Sequence, residues 1–521
     1  MSENMASISC NFYKIEKFLL YLMVLTIPID LLPEWYSLPA TFRNVHYAIL
    51  LIAICVASLH FIKNRDFYYK SNNLVKAYLL ICFFWTSFCT IIGVLKFPYW
   101  NEQANVFLQN TSMVQKIAIF YPNIIHNNEL LHLKYCISLI LNTFHNIFIP
   151  LCGIPFVFYV MFKNKEKREI LDVVSRAAFI LASVLTLYSL IEIPWLLTEN
   201  EFCANLLKFI NKFLYDANSN DWWPPLLWKN QLRSFTYEPA FFGIIAMFIL
   251  PMLWYRAFQL KEKKVLILLV LFTCMIFFTR SRTAQVVLLG EIGLLLLLSV
   301  YGKYKCWISH ITAIIILTMF SFFIFLSAPI TVSFFSESEI DSSMSVESMA
   351  YHYYKNDVSS IGIENTRSNI ARWGNMIATF NVGMSHPILG VGAGLQHMYI
   401  ADNIPAFAQC DNEINFWVRR LREKGFMETG FPNLNSYLTI MACFGIPGLF
   451  MYLLPILYLV ITIYKIKKYI FKDFGFICAT IAFCGQIACL LSNHFMYTYP
   501  IVLATIVSLL SKDKQASSIK E

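Results

Sequence analysis

The stretch KVLILLVLFTCMIFFTRSRTAQVVLLGEIGLLLLLSV, residues 264–300, consists of two apolar runs joined by a short polar link. A helix needs about 20 apolar residues to cross the hydrocarbon layer of a bilayer, and the runs 264–279 and 284–300 come close to that length. The link Thr279–Thr283 has room only for a tight turn. The stretch therefore predicts a helical hairpin in a membrane.

The same character extends over the whole chain of 521 residues, of which 58% are hydrophobic and 14% charged, with a mean hydropathy of +0.56. Soluble domains carry about a quarter charged residues, so a soluble protein is excluded. We predict an all-α polytopic membrane protein in which residues 1–521 form one domain. About twelve transmembrane helices are expected, at 17–33, 45–62, 74–94, 136–162, 177–197, 238–255, 264–279, 284–300, 308–327, 435–464, 474–493 and 498–511.

Basic residues collect in alternate connecting segments, which sets the expected orientation. Lys and Arg lie in 63–70, 163–176, 256–264, 303–305, 465–472 and 512–514, all on one side if the N-terminus is inside. Because cytoplasmic loops are enriched in Lys and Arg, both termini are predicted to be cytoplasmic. Three long loops then face outward, at about 95–135, 198–237 and 328–434, the last between the ninth and tenth helices. The formal charge of +9 fits basic cytoplasmic loops and does not call for nucleic acid.

The fourteen cysteines show no close pair at metal-ligand spacing, and neither a metal nor a cofactor is expected. Cys203 and Cys410 alone fall in long outward loops, where a disulfide between them is conceivable.

Two segments of the largest loop have helical periodicity. Apolar residues recur at steps of three and four from Ile370 to Phe380, which predicts an amphipathic helix with Arg372 on its other face. A second stretch, 416–424, combines aromatic and basic residues in a way suited to the membrane interface. Such helices in a loop of this size could roof a cavity.

Arg280 and Arg282 stand in the hairpin link, on the side where short loops avoid basic residues. Two guanidiniums beside two threonine hydroxyls offer paired donors for a phosphate or diphosphate. The alternative is that both side chains extend to lipid headgroups.

Arg233 and Glu238 precede the apolar helix that starts near residue 240. With Pro239 after it, Glu238 suits the N-terminal cap of a helix. The functional alternative is a carboxylate at the mouth of a cavity that binds or deprotonates a sugar hydroxyl, with Arg233 available to a phosphate.

The outward loop contains a third group of candidates. Arg367 and Arg372 lie in the amphipathic segment, and His386 is followed by glycines at alternate positions, including Gly390 and Gly392. Such glycines allow the backbone to approach a polar ligand closely, although they also suit a plain turn.

These segments resemble the O-antigen polymerase and ligase superfamily of bacterial inner-membrane proteins, specifically its polymerase (Wzy-type) branch. Thr279–Thr283 resembles the Ser-Arg between two helices, Tyr237-Glu238-Pro239 resembles the Glu-Pro before a helix, and His386-Pro387 with the paired glycines resembles the large outward loop. Arg367 and Gly383 also fit the spacing of such loops.

The resemblance implies an enzyme without metal or cofactor that moves a growing glycan from undecaprenyl diphosphate onto an incoming undecaprenyl-diphosphate-linked repeat. It implies an inner-membrane location, an active site facing the periplasm, contact with the lipid bilayer and a chain-length regulator (a polysaccharide co-polymerase) as a candidate partner. The arginines would stabilise the diphosphate leaving group, with Glu238 as first candidate for the base and His386 as second.

One departure separates the two branches. Ligases place a catalytic histidine just before the helix that follows the large loop, whereas this chain has Asn433 and Asn435 there. This favours a polymerase, although His386 or His397 could substitute for that histidine. The alternatives are a ligase acting on lipid A core and, outside the enzymes, a flippase or transporter of lipid-linked oligosaccharide.

Overall fold

The computed structural model describes residues 2–29, 31–38, 40–63, 73–100, 102, 128–215, 225–228, 230–301, 307–335, 367–465, 473–492 and 497–518. Within these ranges the protein is helical, with no strand. The main helices are α1 Ser2–Leu25, α2 Val45–Lys63, α3 Asn73–Leu95, α4 Asn128–Thr143, α5 Ile149–Phe162, α6 Lys167–Thr198, α7 Glu201–Leu214, α8 Pro239–Trp254, α9 Lys263–Phe278, α10 Arg282–Tyr301, α11 Ile308–Phe335, α12 Arg367–Ser385, α13 Gln396–Asp402, α14 Asn412–Lys424, α15 Ser436–Lys465, α16 Phe474–Cys489 and α17 Thr498–Ser518.

A helix overlaps each predicted position, because long apolar runs specify helices locally. The first differs most in its bounds, since the helix predicted at 17–33 is Ser2–Leu25. Among the described residues, eight helical segments are long and apolar enough to cross a membrane. The four other predicted positions correspond to α1, α9, α16 and α17. The all-helical membrane class is therefore supported, while the count of twelve crossings and the cytoplasmic termini stay predictions.

Helix α8 lies at the centre of the bundle. Its residues are apolar on every side and almost all of them are buried, which is the pattern of a helix surrounded by others. It packs against α6, α9, α10 and α16. Glu238 occupies its N-cap position and Pro239 its first turn, as the sequence predicts, but the Glu238 side chain makes no capping hydrogen bond.

The ends of several helices meet at one end of the bundle. The N–H of Leu232, before α8, donates to the carbonyl of Phe278 at the end of α9 (3.0 Å), and the N–H of Ser436, at the start of α15, donates to that of Leu490 after α16 (3.0 Å). We call this the loop end, because α12 and α13 of the largest loop pack against α15 there, and α14 packs against α12 and α13. The opposite end holds the start of α6 and the end of α8.

The amphipathic helix predicted in the largest loop is present as α12, but its apolar stripe is on the outside. Trp373 is 56% exposed and Phe380 45%, whereas Asn375 and Thr379 are buried. The side-chain amide of Asn375 donates to the carbonyl of Pro432 (2.8 Å). Small residues on the same face allow this close approach, so size rather than polarity decides which face packs inward.

Candidate functional site

A cavity of about 560 Å³ opens at the loop end. Its walls come from the segment after α1, the α4–α5 junction, the start of α8, the segment 393–397, and residues 426–444. Five side-chain amides line it: Asn44, Asn142, Asn146, Gln396 and Asn433. Hydroxyl-bearing residues also line it: Thr143, Thr236, Ser436, Thr439, Tyr452 and Tyr497.

The α4–α5 junction contributes two of these amides through a local distortion. Residues Phe144–Phe148 form a single π-helical turn between the α-helices. Asn142 and Asn146 flank its start, are both exposed, and both line the cavity. Single π turns are frequent at functional sites, because they reorient side chains within an otherwise regular helix.

The glycine-rich loop positions the opposite wall. The N–H groups of Val391 and Gly392 donate to the carbonyls of Ala442 and Cys443 in α15 (2.9 and 3.0 Å). A Cβ on Gly390, where φ is +64°, would lie 2.4 Å from the backbone of Cys443, so only glycine fits there. Because the N–H of Gly390 also donates to the carbonyl of His386 (2.9 Å), the amides of Gly390 and Gly392 are used within the protein. The close approach that these glycines allow is to α15.

Helix α15 adapts to this contact by a break. Gly445 has φ +72°, outside the helical region, and its Cβ position lies 2.2 Å from the carbonyl oxygen of Ile388. The N–H of Ile446 donates to the carbonyl of Pro387 (2.7 Å). The loop is thus fastened to α15 by backbone bonds on both sides of the break, and it leads directly to Gln396 and His397.

His397 lies in the cavity wall with a fixed ring orientation. The N–H of Phe431 donates to its Nδ1 (3.2 Å). A Cβ added to Gly430 would lie 2.7 Å from the ring, so the backbone of residue 430 packs directly on the imidazole. Burial lowers the pKa of His397 to about 4, and the ring is therefore neutral at neutral pH.

The predicted diphosphate ligands at the hairpin link lie beside the cavity rather than in its wall. Arg282 donates from Nη1 to Oδ1 of Asn369 in α12 (3.0 Å), and Arg280 is exposed with φ +49°. Gly243 of α8 packs against Ala284 on the face turned to α10, whereas Phe241 and Ile245 of α8 line the cavity. Helix α8 therefore separates the link from the cavity.

Arg233 is 1% exposed and is bonded within the protein. Its two terminal nitrogens donate to the carbonyls of Pro225 and Leu226 (2.8 Å each). The backbone N–H groups of Arg233 and Ser234 donate to the carboxylate of Glu192 (3.1 and 2.7 Å). These bonds hold the segment before α8 in place.

The other predicted residues are spread over the loop end. Arg372 is exposed on α12, and Arg367 starts that helix with a side chain outside the described residues. His386 is exposed and its ring contacts Tyr399 at 5.4 Å between centroids. The backbone of Glu238 caps α8, two residues after the cavity residue Thr236. Of the site residues whose side chains are described, none is among those lining the cavity.

Sequence reasoning did not find the amide-lined cavity. The spacing of Asn142 and Asn146 is one indication of it, since two amides four residues apart form a polar patch on one face of an apolar helix. The pairing of His397 with the Gly430–Phe431 backbone has no local signal in the sequence.

Comparison with known proteins bears on the same region. Residues 267–453 match a family model described as O-antigen ligase. This match supports the O-antigen polymerase and ligase superfamily. The matched segment contains the hairpin link, α12, the glycine loop, His397 and the cavity residues from 393 to 452. The cavity residues before α9, together with Arg233 and Glu238, precede it, and Tyr497 follows it. No curated protein matches the chain.

The match suggests a glycosyltransferase-like enzyme and, with the eight apolar helices, indicates a multi-pass membrane protein. It does not separate polymerase from ligase.

Proposed function

We propose that this protein is an O-antigen polymerase that transfers a growing glycan from undecaprenyl diphosphate onto an incoming lipid-linked repeat at the periplasmic face of the inner membrane. The observation that carries the proposal is the cavity lined by amides and hydroxyls, one wall of which, from residue 393 to 452, lies within the segment that matches the O-antigen ligase family. Amides and hydroxyls pair with sugar hydroxyls, which both donate and accept hydrogen bonds.

The arginines beside the cavity fit the donor in this proposal. A lipid diphosphate leaves with developing negative charge, which fixed guanidiniums stabilise. Arg280 and Arg282 lie on one side of α8. Arg372 lies on α12, three residues after Asn369, which accepts a hydrogen bond from Arg282. The lipid diphosphate would lie at this basic surface, with its sugar reaching the cavity around the start of α8.

Glu238 is our candidate for the base that accepts the proton of the attacking hydroxyl. It occupies the N-cap of α8, and its backbone carbonyl accepts a hydrogen bond from the hydroxyl of Thr236 in the cavity wall (2.8 Å). The step breaks the bond between the anomeric carbon and the diphosphate oxygen, forms a glycosidic bond, and passes the hydroxyl proton to the carboxylate. A single displacement inverts the anomeric carbon.

A ligase that uses lipid A core as acceptor is the second candidate, because the matching family model carries that description. Asn433, where ligases have a histidine, favours the polymerase. Its side-chain oxygen accepts a hydrogen bond from the Thr439 hydroxyl in the first turn of α15.

A lipopolysaccharide gel of a deletion strain tests the proposal. Loss of a polymerase leaves lipid A core carrying one repeat. Bare core without any repeat would instead indicate a ligase or a flippase, and an unchanged ladder would reject the assignment to this polysaccharide.

A further inference from the structure

The polar groups of His397 and Gln396 meet at the cavity wall in an arrangement that determines what His397 can do. Because the N–H of Phe431 donates to Nδ1, that nitrogen carries a lone pair and no proton. A neutral imidazole holds one proton, which therefore resides on Nε2. Because the Nδ1 lone pair accepts the hydrogen bond from Phe431, neither nitrogen of the ring is available as a base.

Gln396 lies next to this N–H. Its Nε2 is 3.3 Å from Nε2 of His397, and its Oε1 is buried with no hydrogen-bond partner in the described part of the chain. Gln396 is 7% exposed. In this orientation of the amide two donors face each other, and a half-turn of the amide directs Oε1 toward the Nε2–H of His397. The two side chains then present one donor and one acceptor side by side.

One sugar hydroxyl completes both groups at once. Its oxygen accepts from Nε2–H of His397, and its own proton is donated to Oε1 of Gln396. In the empty site, after a half-turn of the Gln396 amide, the Nε2–H of His397 donates to Oε1 of Gln396. A bound sugar hydroxyl replaces this hydrogen bond with one to each side chain.

We propose that His397 and Gln396 form a sugar-hydroxyl site in which His397 acts as a neutral hydrogen-bond donor and not as the base. This inference rests on the proposed function, since it assigns part of the glycan to the cavity. His397 therefore does not take the place of the catalytic histidine of the ligases, because its Nδ1 lone pair is bonded to Phe431 and its Nε2 carries the proton.

The geometry of the backbone around His397 supports this role. The ring is held from one side by Gly430, from its Nδ1 edge by Phe431, and through the chain by the glycine loop bonded to α15. A general base needs a lone pair directed at the substrate, whereas these contacts use that lone pair inside the protein.

Glutamine and asparagine substitutions separate a donor from a base. The amide nitrogen of Gln reaches the position of histidine Nε2, while that of Asn reaches only the position of Nδ1, and neither amide can accept a proton at any relevant pH. We expect His397→Gln to keep a polymer ladder at reduced yield. His397→Asn and His397→Ala should lower polymer yield about tenfold to a hundredfold.

The experiment complements the deletion strain with each variant, compares polymer yield on lipopolysaccharide gels, and normalises it to the amount of protein in the membrane. His310→Gln, at the opposite end of the bundle where His310 packs against Trp307 and Phe474, is the matched control. His397→Gln as inactive as His397→Ala at equal membrane abundance would overturn the proposal, and so would a wild-type yield from His397→Ala. Failure of the proposed function is distinct, because the deletion strain itself would then show bare core or an unchanged ladder instead of core carrying one repeat.

Discussion

The two ends of the helical bundle are held together by different chemistry. At the end where α6 starts and α8 finishes, charged groups are paired: Arg256 contacts Glu262 at 2.5 Å and Asp172 at 3.4 Å, and the Tyr13 hydroxyl donates to Glu169 (2.6 Å). At the loop end, backbone hydrogen bonds fasten the glycine loop to α15 and leave neutral amides around a cavity.

This difference suggests that one end stabilises the bundle and the other binds a ligand. We call the end with the Arg256 pairs the closed end. Its buried arginine is paired with carboxylates, which indicates a stabilising role. Amides and hydroxyls around a space of about 560 Å³ keep hydrogen-bonding capacity for an occupant. The following substitutions should separate loss of glycan transfer at the loop end from loss of stability at the closed end.

The largest effect is expected from Arg282→Ala. Removal of a fixed positive charge from the leaving group should lower polymer yield at least a hundredfold without lowering membrane abundance, as measured by lipopolysaccharide gel and immunoblot. Asn369→Ala is the control, because it removes the 3.0 Å contact and keeps the guanidinium. If Asn369→Ala causes the same loss, Arg282 acts by joining α10 to α12.

Glu238→Gln comes next. The amide keeps the shape of the side chain and cannot accept the proton, so polymer yield should fall about a hundredfold at unchanged abundance. The matched substitution is Glu428→Gln, in the segment between α14 and α15. A near-normal ladder from Glu238→Gln would reject Glu238 as the base.

Arg256→Ala tests the closed end. It removes the buried partner of Glu262 and Asp172, whose side chains are 38% and 31% exposed, so water takes over part of the lost interaction. We expect a loss of about 1 to 3 kcal/mol in the free energy of unfolding, seen as a lower thermal midpoint of the purified protein in detergent. Arg176→Ala, which removes an exposed pair with Asp172, should change the midpoint much less. Equal shifts in both variants would contradict the stabilising role of Arg256.

Gly430→Ala should displace the imidazole, because the added methyl group would lie 2.7 Å from the His397 ring. We expect polymer yield to fall about tenfold with protein still in the membrane. Gly290→Ala is the control, since nothing lies within 4 Å of its Cβ position. An unchanged ladder from Gly430→Ala would show that the ring position is unimportant.

The smallest effect is expected at one cavity amide. Asn146→Ala removes one set of hydrogen bonds to a bound sugar, which should lower polymer yield about two- to tenfold. Asn369→Ala is again the control, because Asn369 carries the same amide but does not line the cavity. A loss at Asn146 as large as that of Arg282→Ala would mean that Asn146 holds the reacting group.

Much of the fold followed from the sequence, because apolar runs such as Ile308–Phe335 specify helices through local periodicity and composition. The inward face of α12 did not, since Asn375 packs inward through a bond to Pro432, 57 residues later. Side-chain size and a distant carbonyl decide this orientation, and neither is visible in the local pattern.

The candidate site was predictable only in part. The glycine loop was recognised as a place of close approach, but its partner is the α15 backbone at Cys443, which only the folded chain identifies. The cavity joins Asn44 and Asn142 to residues around His397, more than 250 positions away. Long-range packing creates such a site, so no motif marks it.

Photocrosslinking from inside the cavity tests the central claim most directly. A photoreactive amino acid is placed at Asn146, in the cavity wall, and for comparison at Lys261, an exposed position at the closed end. After irradiation of living cells, a glycan-specific antiserum should detect an adduct at residue 146 well above that at residue 261. Equal or absent labelling at the two positions would contradict glycan binding in the cavity.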